Sequence, residues 1–409
     1  MTSTFTWLDY SEQDRRRMMD IVSVLAEPDT VDELGLGNVR DAIADLLFPG
    51  TSTIQRGARY FLFIPWIYLN LERRRISSAE IAQRSRKAEV DLIEALLASG
   101  ETEHVIGSMA RRRLKRLPSN IYWQGMREWH ICLFPGSQEQ YHRSLGAFYG
   151  SVASYQQSRN DDGEPNGSRP TNWHQGLPEA PDDFPSGIHL RLTKEEACYL
   201  RDRVFTSHPR TMLSELVNRA SPLPDCSFPW EAPVVDVMPA KIREILHHAQ
   251  CFSEGMYGAA LLYNLILAEK TGKQDWTEKY RDSFHSWAKE FESDRARMIQ
   301  WDRARRFWQI VAESNPAHPR TRQFINEWLD LLFSNDAERL SDDGRARDLI
   351  CAREVALKGK LARVTDPRSL ERWKGASGAS KLSYRWWNVR LIVGDILIAL
   401  SPIAGGNHA

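Results

Sequence analysis

Tyr280, Phe284, Trp287, Phe291, Asp294, Met298, Trp301, Arg305 and Trp308 follow one another at spacings of alternately four and three residues, the period of one face of an α-helix. Indole and phenyl rings are too large for the holes of a two-stranded coiled coil, so this face must lie against several helices of its own domain. The pattern predicts one long helix seated in a helical core. Asp294 and Arg305 interrupt it as inward charges that need partners, and they stand too far apart to pair with each other along a single helix.

The remaining segments read the same way. Ser11-x-x-Asp14 starts a helix through Met18, Ile21, Val22 and Leu25 that Pro28 closes, and Asn38 caps a short helix ending at Pro49-Gly50. A third helix runs from about Ser52 to Leu71. It is apolar on nearly every side from Tyr60 to Leu69, which makes it a central buried helix with a kink at Pro65. Ser77-x-x-Glu80 opens an amphipathic helix carrying Ile81, Val90, Ile93, Leu96 and Leu97. Ser119 caps another with Ile121, Tyr122, Met126 and Trp129, and residues 138–155 complete the first half. Thr193-x-x-Glu196 restarts helix, and the five prolines of Ser221–Pro239 make an irregular connection. Short strands have room only at His189–Leu192 and Val234–Val237.

The expected fold is mainly α, a multi-helix bundle followed by a second helical unit, with few or no short strands. Residues 156–187 hold five prolines and four glycines with a net charge of −4, the makeup of a linker or exposed loop. The expected organisation is an N-terminal helical domain over 1–155, a flexible acidic linker or loop over 156–190, and a C-terminal helical domain over 191–409.

With 54 Lys and Arg against 54 Asp and Glu, the whole chain exerts no net pull on a polyanion, so any basic surface must come from uneven distribution. Residues 46–150 carry 15 cations against 9 anions, and residues 345–390 carry 12 against 4. Five widely spaced cysteines with no C-x-x-C pair fit reduced thiols and a cytoplasmic location. The first residues lack the charged and apolar regions of an export signal, and no apolar run reaches the roughly 20 residues of a membrane span.

Absent motifs remove mechanisms. There is no P-loop, no G-x-S-x-G elbow and no H-E-x-x-H helix. No His, Asp or Glu is followed two residues later by Lys, which disfavours H-x-K phosphodiesterases and D/E-x-K nucleases. His247, His248 and Cys251 share a helical face but supply too few ligands for a metal. No local motif names a catalytic residue, and no metal or cofactor is expected.

Two features suit polyanions instead. Gly50, Thr51, Ser52 and Thr53 at an expected helix start would expose amides to an anion, with Arg56 and Arg59 one and two turns on. Plain capping after a Pro-Gly turn explains the same residues. Arg112, Lys115 and Arg116 would hold phosphates while Tyr122 or Trp123 stacks on a base. A Gly/Ser loop before Lys381 and Arg385 forms a second basic segment, although such charges are also ordinary helix-surface packing.

Several stretches resemble a bacterial family of unknown function. They are Trp7-Leu8-Asp9-Tyr10-Ser11, Asp32-Glu33-Leu34-Gly35, Phe48 to Gln55, Arg59 to Phe63, Leu114 to Ser119, and Ile121-Tyr122-Trp123. The likeness is distinct over about residues 1–150, and Gly57 departs from it where Arg is expected. Since that family is associated with restriction and phage-defence genes, the resemblance implies a defence-linked role without supplying an activity. The expectation is a non-enzymatic subunit that contacts DNA or RNA and other defence-system proteins, not a membrane. A protein scaffold without nucleic-acid binding, and a divergent nuclease using Asp9, Asp20, Asp41 and Asp45, are the alternatives.

Overall fold

A computed structural model describes residues 32–157, 169–219 and 223–401. The helix expected from Ser11, and with it Asp9 and Asp20, lies outside the described residues. Regular structure among them is helical, and the only β pairing is a single bridge between Cys132 and Trp173. The helices are α1 (Gly37–Leu47), α2 (Tyr60–Arg73), α3 (Ile81–Ala98), α4 (Pro118–Glu128), α5 (Gln138–Gln157), α6 (Lys194–Ser207), α7 (Met212–Val217) and α8 (Ala240–Thr271). They continue with α9 (Gln274–Ser293), α10 (Arg295–Ile299), α11 (Arg306–Ser314), α12 (Pro319–Ser334), α13 (Gly344–Lys358), α14 (Pro367–Glu371) and α15 (Trp386–Leu400). The two places with room for strands hold none, and Pro233–Val237 forms a 3-10 turn instead. The mainly α expectation holds.

The chain divides into two compact units, one made of Met1–Ile43 with Glu244–Tyr384 and the other of Ala44–Arg243 with Arg385–Ala409. In the first, Tyr280, Phe284, Trp287 and Phe291 are buried along α9, and Met298, Trp301 and Trp308 are buried beyond it. The repeat is not one helix, however. It breaks after Ser293 and again over residues 300–305, so the two charged positions mark ends rather than inward contacts. Asp294 closes α9 and pairs with Arg297, and the Asp302 carboxylate accepts the Arg305 amide at 3.0 Å. Short acidic side chains compete in this way with helical carbonyls for backbone amides.

The seam packs where α8 offers no side chain. Trp287 Nε1 donates to Glu254 O at 3.0 Å and Trp328 Nε1 to Gly255 O at 2.9 Å. A Cβ built on Gly258 would lie 2.0–2.5 Å from three atoms of the Trp287 indole. Gly258→Ala is accordingly expected to cost about 2 kcal/mol by overpacking, measured as a lower urea midpoint. Gly394→Ala, which meets nothing within 4 Å, serves as the control that should not lose stability.

In the second unit, α2 is buried almost all round, with Tyr60 to Tyr68 and Leu71 enclosed and Pro65 inside the helix. It starts at Tyr60 rather than near Ser52, because the preceding loop spends its polar groups elsewhere, as described below. Phe61 stacks on Trp129 at 4.0 Å, and Tyr68, Trp123, Tyr141 and Trp173 form an adjoining aromatic cluster. Within 156–190, the described residues 169–190 carry no helix. They are anchored nonetheless, since Leu133 N donates to Asn172 O, His174 N to Ile131 O, and Trp66 Nε1 to Pro178 O at 2.7 Å.

Helix starts follow the expected chemistry only where the cap is local. Thr193 and Glu196 form the reciprocal box expected at α6. At α1 the carboxylate of Asp32, not Asn38, takes the Leu36 and Gly37 amides at 2.5 and 2.7 Å. At α4, Ser119 is buried, and its amide and hydroxyl donate to Glu89 of α3 at 2.8 and 2.7 Å. A carboxylate reaching over from another helix satisfies that terminus.

Candidate nucleic-acid interface

The loop from Pro49 to Arg59 is closed on itself and on α15. Thr51 Oγ1 donates to Phe48 O at 2.6 Å, Thr51 N bonds Phe48 O, and Ser52 N donates to Gln55 Oε1 at 3.1 Å. Gly50 adopts φ +77°, and a Cβ there would sit 2.5 Å from Trp129 Nε1. Asn388 of α15 donates to the carbonyls of Thr53 and Gln55 at 2.9 and 2.8 Å, and the Ala58 amide donates to Asp395 Oδ2 at 2.8 Å. Burial pushes the Asp395 carboxyl up to about 6. The amides of Thr51 and Ser52 thus have partners already, and no helix begins at Thr53 to cradle an anion.

The expected phosphate-binding residues do not come together in one group. Arg59 is buried, its guanidinium bonding His189 O at 2.6 Å and Glu196 Oε1 at 2.7 Å, and so serves the core. Arg385 is similarly engaged with Asp45 at 2.6 Å and Thr51 O at 2.8 Å. Lys381, in the other unit, lies 3.7 Å from Glu290. The Gly/Ser loop before it is pinned, with Ser377 N donating to Asn264 Oδ1 at 2.9 Å and Tyr280 Oη to Gly375 O at 2.6 Å. Tyr122 and Trp123 are core residues rather than a base platform. Tyr122 Oη takes the amides of Arg56 and Gly57 at 2.9 and 3.1 Å, and Trp123 Nε1 donates to Gly136 O at 3.1 Å. Of the carboxylates considered for a nuclease, Asp45 is held by Arg385 and Asp41 by Arg40.

What remains open to solvent is the turn at Arg111–Arg113 with Lys115. Arg112, Arg113 and Lys115 are exposed, and among the described residues none has a carboxylate within ion-pair distance. Arg111 pairs with Glu94 at 3.4 Å, and Arg116 is half-buried and has a partner. The turn is fixed from below, because Arg86 of α3 donates to the carbonyls of Arg112 and Leu114 at 3.0 and 2.9 Å. Earlier in the same loop His104 lies against Trp387, ring centres 6.0 Å apart, and the Arg56 guanidinium lies 5.7 Å from the centre of that indole. Sequence reasoning missed Arg113, His104 and Trp387. The first was legible as part of the basic run, whereas the meeting of His104 with Trp387 is set only by the fold.

Fold and surface define an all-helical, two-unit protein with a pinned basic turn and no membrane-crossing helix among its described residues. The chain belongs to a family of unknown function, DUF6361, whose family model matches residues 2–399. No curated protein and no solved structure matches it.

Proposed function

We propose that the chain is a non-enzymatic subunit of a bacterial defence or restriction assembly that contacts DNA or RNA through the phosphate backbone. The observation that carries this reading is the Arg112, Arg113 and Lys115 cluster, three exposed cations on a turn held rigid by Arg86. Lys and Arg side chains bind phosphates by displacing condensed counterions, so affinity falls with salt in proportion to the contacts made. A turn that is already ordered loses little conformational entropy on binding. In the basic segment at 345–390, Lys381, Arg385 and Arg390 are engaged with carboxylates. The defence setting is what the resemblance of the sequence motifs implies.

The test is a salt titration of binding to a DNA duplex. Replacing Arg112, Arg113 and Lys115 together by Gln is expected to weaken binding and to lower the slope of log affinity against log salt by about 2 to 3. All three lie outside the core, so folding should be unaffected. Absence of binding by the unaltered protein at low salt would overturn the proposal.

A further inference from the structure

We propose that Trp387 is a stacking platform for an unpaired base, with Arg56 beside it for the adjoining phosphate, so that the protein prefers single-stranded nucleic acid. This rests on the phosphate-binding reading above and adds the kind of strand bound. Among the described tryptophans Trp387 is the one left exposed, with 51% of its surface open, whereas Trp386 next to it is 1% exposed and fills the core. His104 and Arg56 lie against this ring, and half of its surface nonetheless remains open to solvent.

Three features around the ring give the site its chemistry. The first is the cleft that Trp387 walls, about 240 Å³ in volume, lined mainly by apolar residues such as Leu391, Leu397 and Ile398, with Gly394, Arg390 and Ser401. It is below the roughly 300 Å³ at which pockets for drug-sized ligands begin, which suits one flat ring. Gly394 supplies the opening, because a Cβ there would meet nothing within 4 Å. The second is the cation. Arg56 uses Nη1 on Thr53 O at 3.3 Å and has no carboxylate within ion-pair distance among the described residues, so its charge is fixed in place but not neutralised. The third is continuity, since His104 at the indole belongs to the same loop as Arg112, Arg113 and Lys115. An exposed indole that walls this cleft and carries a guanidinium 5.7 Å from its ring centre suits a nucleotide, which presents a flat ring and an anion together. A base paired within a duplex cannot enter it.

The experiment measures fluorescence anisotropy of a labelled oligothymidine and of a duplex of equal length at one fixed salt concentration. Trp387→Ala is expected to weaken single-strand binding about 10-fold and duplex binding less than 2-fold. Gly394→Leu, which fills the cleft on the surface of α15 without opening a cavity, should do the same, and Trp387→Phe should keep most of the affinity. Equal losses on both forms, or no loss on the single strand, would overturn the stacking site while leaving phosphate binding intact. Failure of the unaltered protein to bind either form would overturn the underlying function and this inference with it.

Discussion

Arg59→Ala is expected to lower the stability of the protein by about 3–5 kcal/mol, the cost of breaking a buried ion pair from one side. The Arg59 and Glu196 side chains are only 7% and 5% exposed and meet at 2.7 Å. The guanidinium also bonds His189 O and lies 5.5 and 5.9 Å from the rings of Phe63 and Trp66. Truncation strands the Glu196 carboxylate inside the fold, with one oxygen still committed to the Thr193 amide. Glu196→Ala should cost a similar amount by stranding the guanidinium. The Arg59→Leu, Glu196→Leu double variant should lose less than the sum of the single losses, because it buries no unpaired charge. Urea denaturation of the three proteins decides the matter, and a loss below 1 kcal/mol for Arg59→Ala would show that water reaches the pair.

Glu89→Gln is expected to raise stability at alkaline pH and to flatten its dependence on pH. Glu89 is fully buried, and burial pushes its carboxyl up to about 7 from the usual 4.5, against the hydrogen bonds from Ser119 and the nearby Arg86, which pull it down. The folded state therefore holds a proton that the unfolded chain releases near pH 4.5. Stability from this group is full below that pH, falls as pH rises toward 7, and is lost above it. A shift of this size corresponds to about 3 kcal/mol. Glutamine keeps both contacts, since its oxygen can accept the Ser119 amide and its nitrogen can donate to the Ser119 hydroxyl. Unfolding at pH 5 and pH 8 should therefore separate the two proteins much more at pH 8, with the variant the more stable. Asp395 and Glu72, also raised by burial, act in the same direction, so the variant retains part of the pH dependence.

Much of the helical framework was legible because its signals are local. Tyr60 to Leu69 is apolar on every side, and that alone requires a buried helix. Thr193 and Glu196 stand three residues apart, the distance at which a capping box closes. Reasoning failed where the decisive partner is distant in sequence. Nothing near Ser119 indicates that Glu89, 30 residues earlier, takes its amide. Nothing near Arg59 foretells Glu196, and a buried cation looks the same in sequence as an exposed one. The aromatic seam was read correctly as core but wrongly as continuous, since side-chain period is blind to a break that preserves it. At the candidate interface the basic run at 111–116 was visible, while the pairing of Arg56 with Trp387 required the whole of α15 to come back onto the loop at 49–59.

That return of α15 also sets an order of events during synthesis. Residues 44–243 leave the ribosome long before Arg385, with the whole of Glu244–Tyr384 made in between. Until then the carbonyls of Thr51, Thr53 and Gln55 and the amide of Ala58 lack the partners that Arg385, Asn388 and Asp395 supply. Closing so long an intervening stretch is slow and entropically costly. The nascent protein must wait with this loop unfinished, and no unfinished chain can present Arg56 against Trp387. Any binding that uses the pair is withheld until translation has passed α15.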